Sequence, residues 1–167
     1  AIRMYSMIDG VLLYSSLNAL EQTMEHIQLE ELINSIASDL EVLITQKNAS
    51  ISYGNLSAIT GSAILIYQLF YNLINNSLKF SRNDVPPVIH IVEEVASAAD
   101  LQQHQLDGSR KYKKIVVTDN GIGFTPGEAR IIFSAFTRLH SRDRYEGTGL
   151  GLALCKKIAE RHGGAIS

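Results

Sequence analysis

The chain has 167 residues, 46% of them hydrophobic and 19% charged, with a formal net charge of -2, a pI near 6.2 and one cysteine. Its length suits one soluble domain able to bury roughly two thirds of its unfolded surface. The balanced charge supplies no global basic field for nucleic acid or an anionic membrane, the lone Cys155 excludes an internal disulfide, and no apolar run approaches the roughly 20 residues of a spanning helix.

From Ile2 to about Met24, the apolar residues Met4, Ile8, Val11, Leu12, Leu17 and Leu20 recur at three- and four-residue steps, which predicts one amphipathic helix. Its stripe needs a cover, either the domain's own sheet or a second copy of the same helix. A short extended piece near Met24 to Ile27 leads into a second helix, roughly Leu29 to Gln46. Leu32, Ile33, Ile36, Leu40 and Leu43 share one face, and Glu30 and Glu31 suit its N-terminus. Ile51 to Tyr53 and Ser57 to Thr60 read as two short strands around Gly54-Asn55, a dipeptide that fits a hairpin turn.

The third helix, about Ala63 to Phe80, is the most informative. Ile66, Phe70, Leu73 and Ser77 form a stripe that can face a sheet, while Asn72, Asn76 and Lys79 line a second stripe. Asparagine is a mediocre interior helix former, so Asn72, Asn75 and Asn76 need a reason beyond propensity. A carboxamide oxygen is a hard neutral ligand suited to Mg²⁺ that keeps phosphates and waters in its other positions, and a nearby lysine supplies a point charge for a phosphate. The alternative for this helix alone is a solvated polar face.

After a loop closed by Pro86-Pro87, Val88 to Val92 and Tyr112 to Val117 read as strands of a hairpin with a long, mobile connection, and the hairpin's Arg110, Lys111, Lys113 and Lys114 form a solvated face. The second strand runs into Asp119-Asn120-Gly121-Ile122-Gly123-Phe124. An ionised aspartate accepts hydrogen bonds only, so at a strand end in a pocket it can read an exocyclic amino group such as that of adenine. The two glycines let the backbone approach a flat base, although Asp-Asn-Gly is also a common turn. A short helix through Phe133 follows. The charged segment from Phe136 to Gly147, with Arg138, Arg142, Asp143, Arg144 and Glu146, reads as a lid.

Gly147-Thr148-Gly149-Leu150-Gly151 then opens a helix to about His162, with Leu150, Leu154 and Ile158 on its buried side and Cys155 as a buried thiol. Glycines at a helix start let a phosphate meet free N–H groups and the positive end of the dipole. The spacing does not match GxGxxG and no βαβ unit surrounds it, so a Rossmann site is disfavoured, and with no GxxxxGK[ST] run a P-loop is excluded. The five histidines lack metal-ligand spacing, and no GxSxG elbow suggests covalent catalysis.

Taken in order, Asn72 to Phe80, Asp119 to Phe124, Ile132 to Arg138, Glu146 to Ile158 and Arg161 to Gly164 resemble the N box and the glycine and phenylalanine boxes of two-component sensor histidine kinases. The stretch Arg138 to Gly149 looks most like kinases with light-sensor or PAS-type input modules. The resemblance implies an α/β (α+β sandwich) fold of the Bergerat ATP-binding type, a mixed sheet with helices packed on one face, preceded by one amphipathic helix. It implies ATP and Mg²⁺ as ligands, with Asn76 holding the metal and Asn72 and Lys79 near the phosphates. Asp119 would bind the adenine amino group, and Gly121 and Gly123 would shape the base pocket. Thr148, Gly149, Leu150 and Gly151 would receive phosphates, and Arg138 would add a phosphate contact.

By the same resemblance, residues 1–24 would be the second helix of the dimerisation and phosphotransfer hairpin, and residues 25–167 the catalytic domain, cut before its last strands. The implied partners are a phosphoacceptor helix of the same or a partner subunit, a response-regulator receiver domain, and a second copy in a homodimer. A cytoplasmic location is expected, compatible with a membrane anchor elsewhere in a longer protein. No histidine precedes His26, so the acceptor is expected outside this chain. In hydrolysing relatives such as gyrase-type ATPases, the residue one turn before the Mg²⁺ asparagine is a water-activating glutamate; here it is Asn72, which cannot act as a base and favours transfer to a protein. A noncatalytic nucleotide-binding or dimerisation module is the alternative.

Overall fold

The computed structural model describes residues 23–129, 131–137 and 149–167. The expected first helix, and with it the boundary near residue 24, lies largely outside them. The described elements begin with β1 (Glu25–Ile27), α1 (Leu29–Asp39), α2 (Glu41–Lys47), β2 (Ser50–Tyr53) and β3 (Ile59–Gly61). They continue with α3 (Ala63–Lys79), β4 (Val88–Val95), α4 (Ala98–Gln103), β5 (Lys113–Asp119), α5 (Pro126–Ala129) and α6 (Gly151–Arg161).

The helical layer forms because its apolar residues fall on single faces. In α1, Leu29, Leu32, Ile33 and Ile36 are buried at steps of three and one, with Glu30 and Glu31 in the first turn where the dipole favours them. The predicted helix to Gln46 is two helices. Leu40, at φ -98° and ψ 8°, breaks the ladder, and Asn48 ends α2 in the left-handed region at φ 51°. The break lets Leu40 remain buried while α2 turns to a shallower path with no buried residue of its own. Along α3, Leu65, Ile66, Phe70, Ile74, Ser77 and Leu78 are buried.

Ile89 and Ile91 on β4 alternate with exposed neighbours and face this helical layer. Ile33, Ile36, Ile74, Leu78, Ile89 and Ile91 are fully buried. Each contributes about 1.5–3 kcal/mol by leaving water, so the contact between helices and sheet is where most of the fold's stability resides. On the outer side of that layer Tyr67 donates a hydrogen bond to Asp39, tying α3 to α1; burial first, then the aspartate, pushes the phenol up to about 12.

The strands form two sheets. A mixed sheet has the order β2-β4-β5, with β2 parallel and β5 antiparallel to β4, and a second, two-stranded sheet pairs β1 antiparallel with β3. The antiparallel β4–β5 hairpin is as predicted, with Ile91 opposite Val117 and Ile89 opposite Asp119. The hairpin expected at Gly54-Asn55 does not form. Gly54 N–H instead bonds to Ile91 O at 2.9 Å and continues the pairing with β4. Leu56 is buried with its N–H near Glu30, and Ser57 N–H bonds to Glu93 at 2.8 Å. A Gly-Asn pair marks where the chain bends, and here the five residues 54–58 carry it from one sheet to the other.

The β4–β5 connection contains the short helix α4. Ser97 and Asp100 make a reciprocal capping box at the start of α4, and the serine's hydrogen bonds hold the Asp100 carboxyl down at about 2. Lys114 pairs with Glu94 and Asp100 at 3.3 and 3.4 Å on a largely solvated surface. No helix of the described residues is long and apolar enough to cross a membrane.

Candidate functional site

The C-terminal half of α3 is where the predicted site residues meet. Helix α6 packs antiparallel to α3: the buried Leu65, Leu154 and Ile158 form one cluster, Cys155 lies under Leu69 O, and the first residue of α6 reaches the two asparagines. A methyl group placed on Gly151 would stand 3.7 Å from Asn72 Oδ1 and 3.9 Å from Asn76 Nδ2. Two carboxamides and the start of a helix, whose first N–H groups lack intrahelical partners, therefore share one small space. Leu150, just before it, is buried, and Gly149 occupies the left-handed region at φ 73°, a turn open to glycine at little cost.

Asn72 Nδ2 is buried and has no hydrogen-bond partner among the described residues. Beside it is the Cys155 thiol, which burial pushes up to about 12, an effect that the Asn72 amide only partly offsets. A neutral thiol sulfur is a weak acceptor and leaves the amide donor unsatisfied. A buried donor without an acceptor costs about 1–3 kcal/mol, and in native proteins such groups concentrate where a ligand is received.

The second half of the site lies where β5 ends. Asp119 is exposed, and both its oxygens are positioned from the protein side: Gly121 N–H donates to Oδ1 at 2.8 Å, and the buried Ser77 hydroxyl stands 2.9 Å from Oδ2 and 3.2 Å from Leu73 O. Ile122 N–H bonds to Phe80 O at 3.0 Å, joining the turn to the end of α3. A Cβ on Gly121 would fall 2.7 Å from Asp119 Oδ1 and 2.8 Å from Phe80 O, so only glycine fits there. Gly123 has φ +65° and open space around it. Asn120 clamps the neighbouring strand, accepting from Val88 N–H at 2.8 Å and donating to Pro86 O at 3.0 Å.

Asn72, Asn76 and Gly151 are thus gathered at one end, and Asp119 and Gly121 are joined to α3 through Ser77 and Phe80. Lys79 lies with its ammonium 4.5 Å from the centroid of the Phe80 ring, a cation–π contact. Arg138 and Thr148 lie outside the described residues, as does the predicted lid beyond Thr137. Ser77, Phe80 and Asn120 were not among the expected site residues. Ser77 carried a signal, a hydroxyl in an otherwise apolar stripe, whereas the Phe80 carbonyl leaves no trace in side-chain chemistry. No group of three or more His, Cys, Asp or Glu side chains able to hold a metal occurs among the described residues.

Comparison with known proteins gives the family and the fold. Residues 61–167 match the model of the family described as histidine kinase-, DNA gyrase B-, and HSP90-like ATPase. Cyanobacterial phytochrome A from Nostoc sp. is 37% identical over 163 residues, covering 98% of this chain and 20% of that protein. Phytochrome-like protein Cph1 from Synechocystis sp. is 33% identical over 165 residues, again 98% and 20%. The chain therefore spans about a fifth of the length of these curated relatives. Among solved structures, the catalytic domain of histidine kinase ThkA superposes with a TM-score of 0.63 at 23% identity, covering 84% of this chain and 82% of that one. Full-length ShkA in complex with AMPPNP gives 0.69 at 23% identity, covering 94% and 30%. The mixed sheet covered by helices is the fold of these catalytic domains, and with the match over residues 61–167 the chain belongs to the histidine kinase-, DNA gyrase B- and HSP90-like ATPase family.

Proposed function

We propose that residues 25–167 are the catalytic ATP-binding domain of a sensor histidine kinase, and that residues 1–24 are the second helix of its dimerisation and phosphotransfer hairpin. In this reading Asp119 accepts from the adenine amino group, with Gly121 and Gly123 keeping the base pocket open. Asn72, Lys79, Arg138, Thr148, Gly149, Leu150 and Gly151 surround the phosphates. The observation that carries it is the meeting of Gly151 with Asn72 and Asn76, where a buried amide donor lacks an acceptor among the described residues. A phosphate oxygen supplies that acceptor.

The donor set also fits Mg²⁺. Asn76 offers a neutral oxygen, without a cluster of acidic side chains among the described residues, so the anionic ligands come from the nucleotide. When bound, the ion neutralises charge on the transferring phosphoryl group. The remaining work of the chain is positioning. Asn72 cannot take a proton from water, which suppresses hydrolysis and leaves the γ-phosphoryl group for an acceptor nitrogen: a histidine on the helix supplied by the same or a partner subunit, and from there a receiver domain.

Titration with an ATP analogue plus Mg²⁺ tests this. Saturable binding that weakens at least about tenfold in Asp119→Asn is expected, the scale of a lost charge-assisted hydrogen bond. Mg²⁺ without nucleotide gives no measurable binding. Absence of saturable nucleotide binding refutes the reading. Mixed with a chain that bears the acceptor helix, the protein transfers phosphate to that chain; alone it incorporates none, and histidine labelling of this chain by itself would contradict the division of roles.

A further inference from the structure

Helix α6 is held to α3 mainly by Leu154, Ile158 and Leu65, and apolar contacts of this kind resist separation far better than they resist sliding along the helix axis. Its axial position must be set by something directional. At the end remote from the asparagines that device is His162. Its Nε2 stands 3.0 Å from the backbone N of Ser62, the residue before α3, and its Nδ1 lies 2.7 Å from Ile158 O, one turn back in α6.

A backbone N–H can only donate and a carbonyl can only accept. The two partners therefore fix one form of the ring, neutral with the proton on Nδ1. The surroundings are built around it. Gly61 is buried, and a Cβ there would come within 3.1 Å of His162 Cδ2 and 3.2 Å of Nε2, so the ring occupies space that any other residue at 61 would claim. Ser62 is buried as well, and its N–H points to this one acceptor. The backbone after the ring is fixed in turn. Gly163 N–H bonds to Glu160 O and Gly164 N–H to Ala159 O, both at 2.9 Å, with Gly163 at φ +71°, which is a complete Schellman termination.

We propose that His162 is a positioning residue for the phosphate end of the site: its Nε2 bond to Ser62 sets the axial register of α6 on α3, and that register brings Gly151 to Asn72 and Asn76. The lever is the helix itself. Its 11 residues are a rigid rod roughly 16 Å long, so an axial slip at His162 reappears undiminished at Gly151. Asp119 and Gly121 are held by Ser77 and Phe80 rather than by α6, so the base end does not feel the slip. The inference rests on the nucleotide reading above.

The test compares two ligands on the 167-residue chain, AMPPNP with Mg²⁺ and adenosine, in wild type, His162→Phe, His162→Gln and His162→Asn. In His162→Phe, AMPPNP affinity falls on the order of tenfold, the scale of one lost buried hydrogen bond, while adenosine affinity is unchanged. His162→Gln places a carbonyl oxygen near the former Nε2 and recovers most of the AMPPNP affinity; His162→Asn is too short and does not. Equal loss for both ligands, no loss for either, or recovery by Asn as good as by Gln overturns the proposal. Should His162→Phe fail to fold, the Gln and Asn pair still decides, together with the nitrogen resonances of the wild-type imidazole. These must show the Nδ1-protonated tautomer, and an Nε2-protonated ring refutes the assignment. A wild-type chain that binds neither ligand instead refutes the nucleotide reading itself.

Discussion

Gly121→Ala should damage the site and the fold together, by amounts that follow from two distances. The new methyl carbon would stand 2.7 Å from Asp119 Oδ1 and 2.8 Å from Phe80 O, both inside the 3.0 Å at which something must move. Phe80 O cannot yield cheaply. It belongs to the residue that ends α3, whose own N–H is bonded to Asn76 O at 2.8 Å, and it accepts from Ile122 N–H at 3.0 Å. Relief has two routes. Asp119 can rotate, losing its bonds from Gly121 N–H and Ser77, or the turn can withdraw from α3, losing the Ile122 bond. Either route sacrifices one or two hydrogen bonds at about 1 kcal/mol each, consistent with the usual 1–3 kcal/mol for overpacking a tight site. Both displace the carboxylate that would read the base, so nucleotide affinity should fall by at least about tenfold, the cost of a bond in the binding step.

Urea unfolding with a shared m-value measures the first quantity, and AMPPNP titration the second. Gly108→Ala is the control, since a Cβ there meets nothing within 4 Å. A Gly121→Ala protein that unfolds at the same midpoint as Gly108→Ala and binds nucleotide as wild type would show that the close approach is not required.

Three other substitutions separate stability from binding. Ser77→Ala removes the hydroxyl beside Oδ2 of the exposed Asp119, so stability should change by less than about 1 kcal/mol while adenosine affinity drops several-fold; unchanged affinity would deny Ser77 a role. Asn72→Leu deletes a buried donor that has no partner among the described residues and should leave the fold equally stable or up to about 1 kcal/mol more so, yet weaken AMPPNP binding; a loss of both would mean the amide is structural. The Cys155 thiol, raised by burial to about 12, gives a pH dependence of definite sign. Below about pH 8.5 the thiol is protonated in both states and contributes nothing. Above it the unfolded chain loses the proton and the folded chain keeps it, so stability falls by about 1.4 kcal/mol per pH unit towards pH 12. Unfolding midpoints between pH 8 and 10, below the range where Tyr67 adds a fall of the same sign, should slope less in Cys155→Ala; equal slopes would contradict the thiol's burial as the cause.

The residues whose chemistry is carried by side chains at helical or strand spacing were legible in the sequence. Asn72 and Asn76 are anomalous inside a helix, Asp119 ends a β-branched strand, and the glycines stand directly before α6; each advertises itself within a dozen residues. What was not legible depends on pairing at long range. Gly54-Asn55 has the same turn chemistry whether β2 continues into β3 or, as here, lies parallel to β4, and nothing local distinguishes them. Leu40 looks like any apolar position on a helical face, since periodicity does not register a single residue at ψ 8°. His162 offers no local signal because its partner is a backbone N–H 100 positions away.

The parallel pairing of β2 with β4 has a kinetic consequence. Two parallel strands cannot be joined by a tight turn, and the link from Tyr53 to Val88 contains the whole of α3. Placing Ile51 beside Ile89 therefore closes a loop through the helix that bears Asn72, Asn76 and Ser77, and the entropy of that closure is spent before most of the core contacts form. Completion of this crossover and delivery of the asparagines to their places become a single event. Recovery of nucleotide binding after refolding should accordingly share its rate with sheet formation, and a substitution that weakens the β2–β4 pairing would delay both by the same factor.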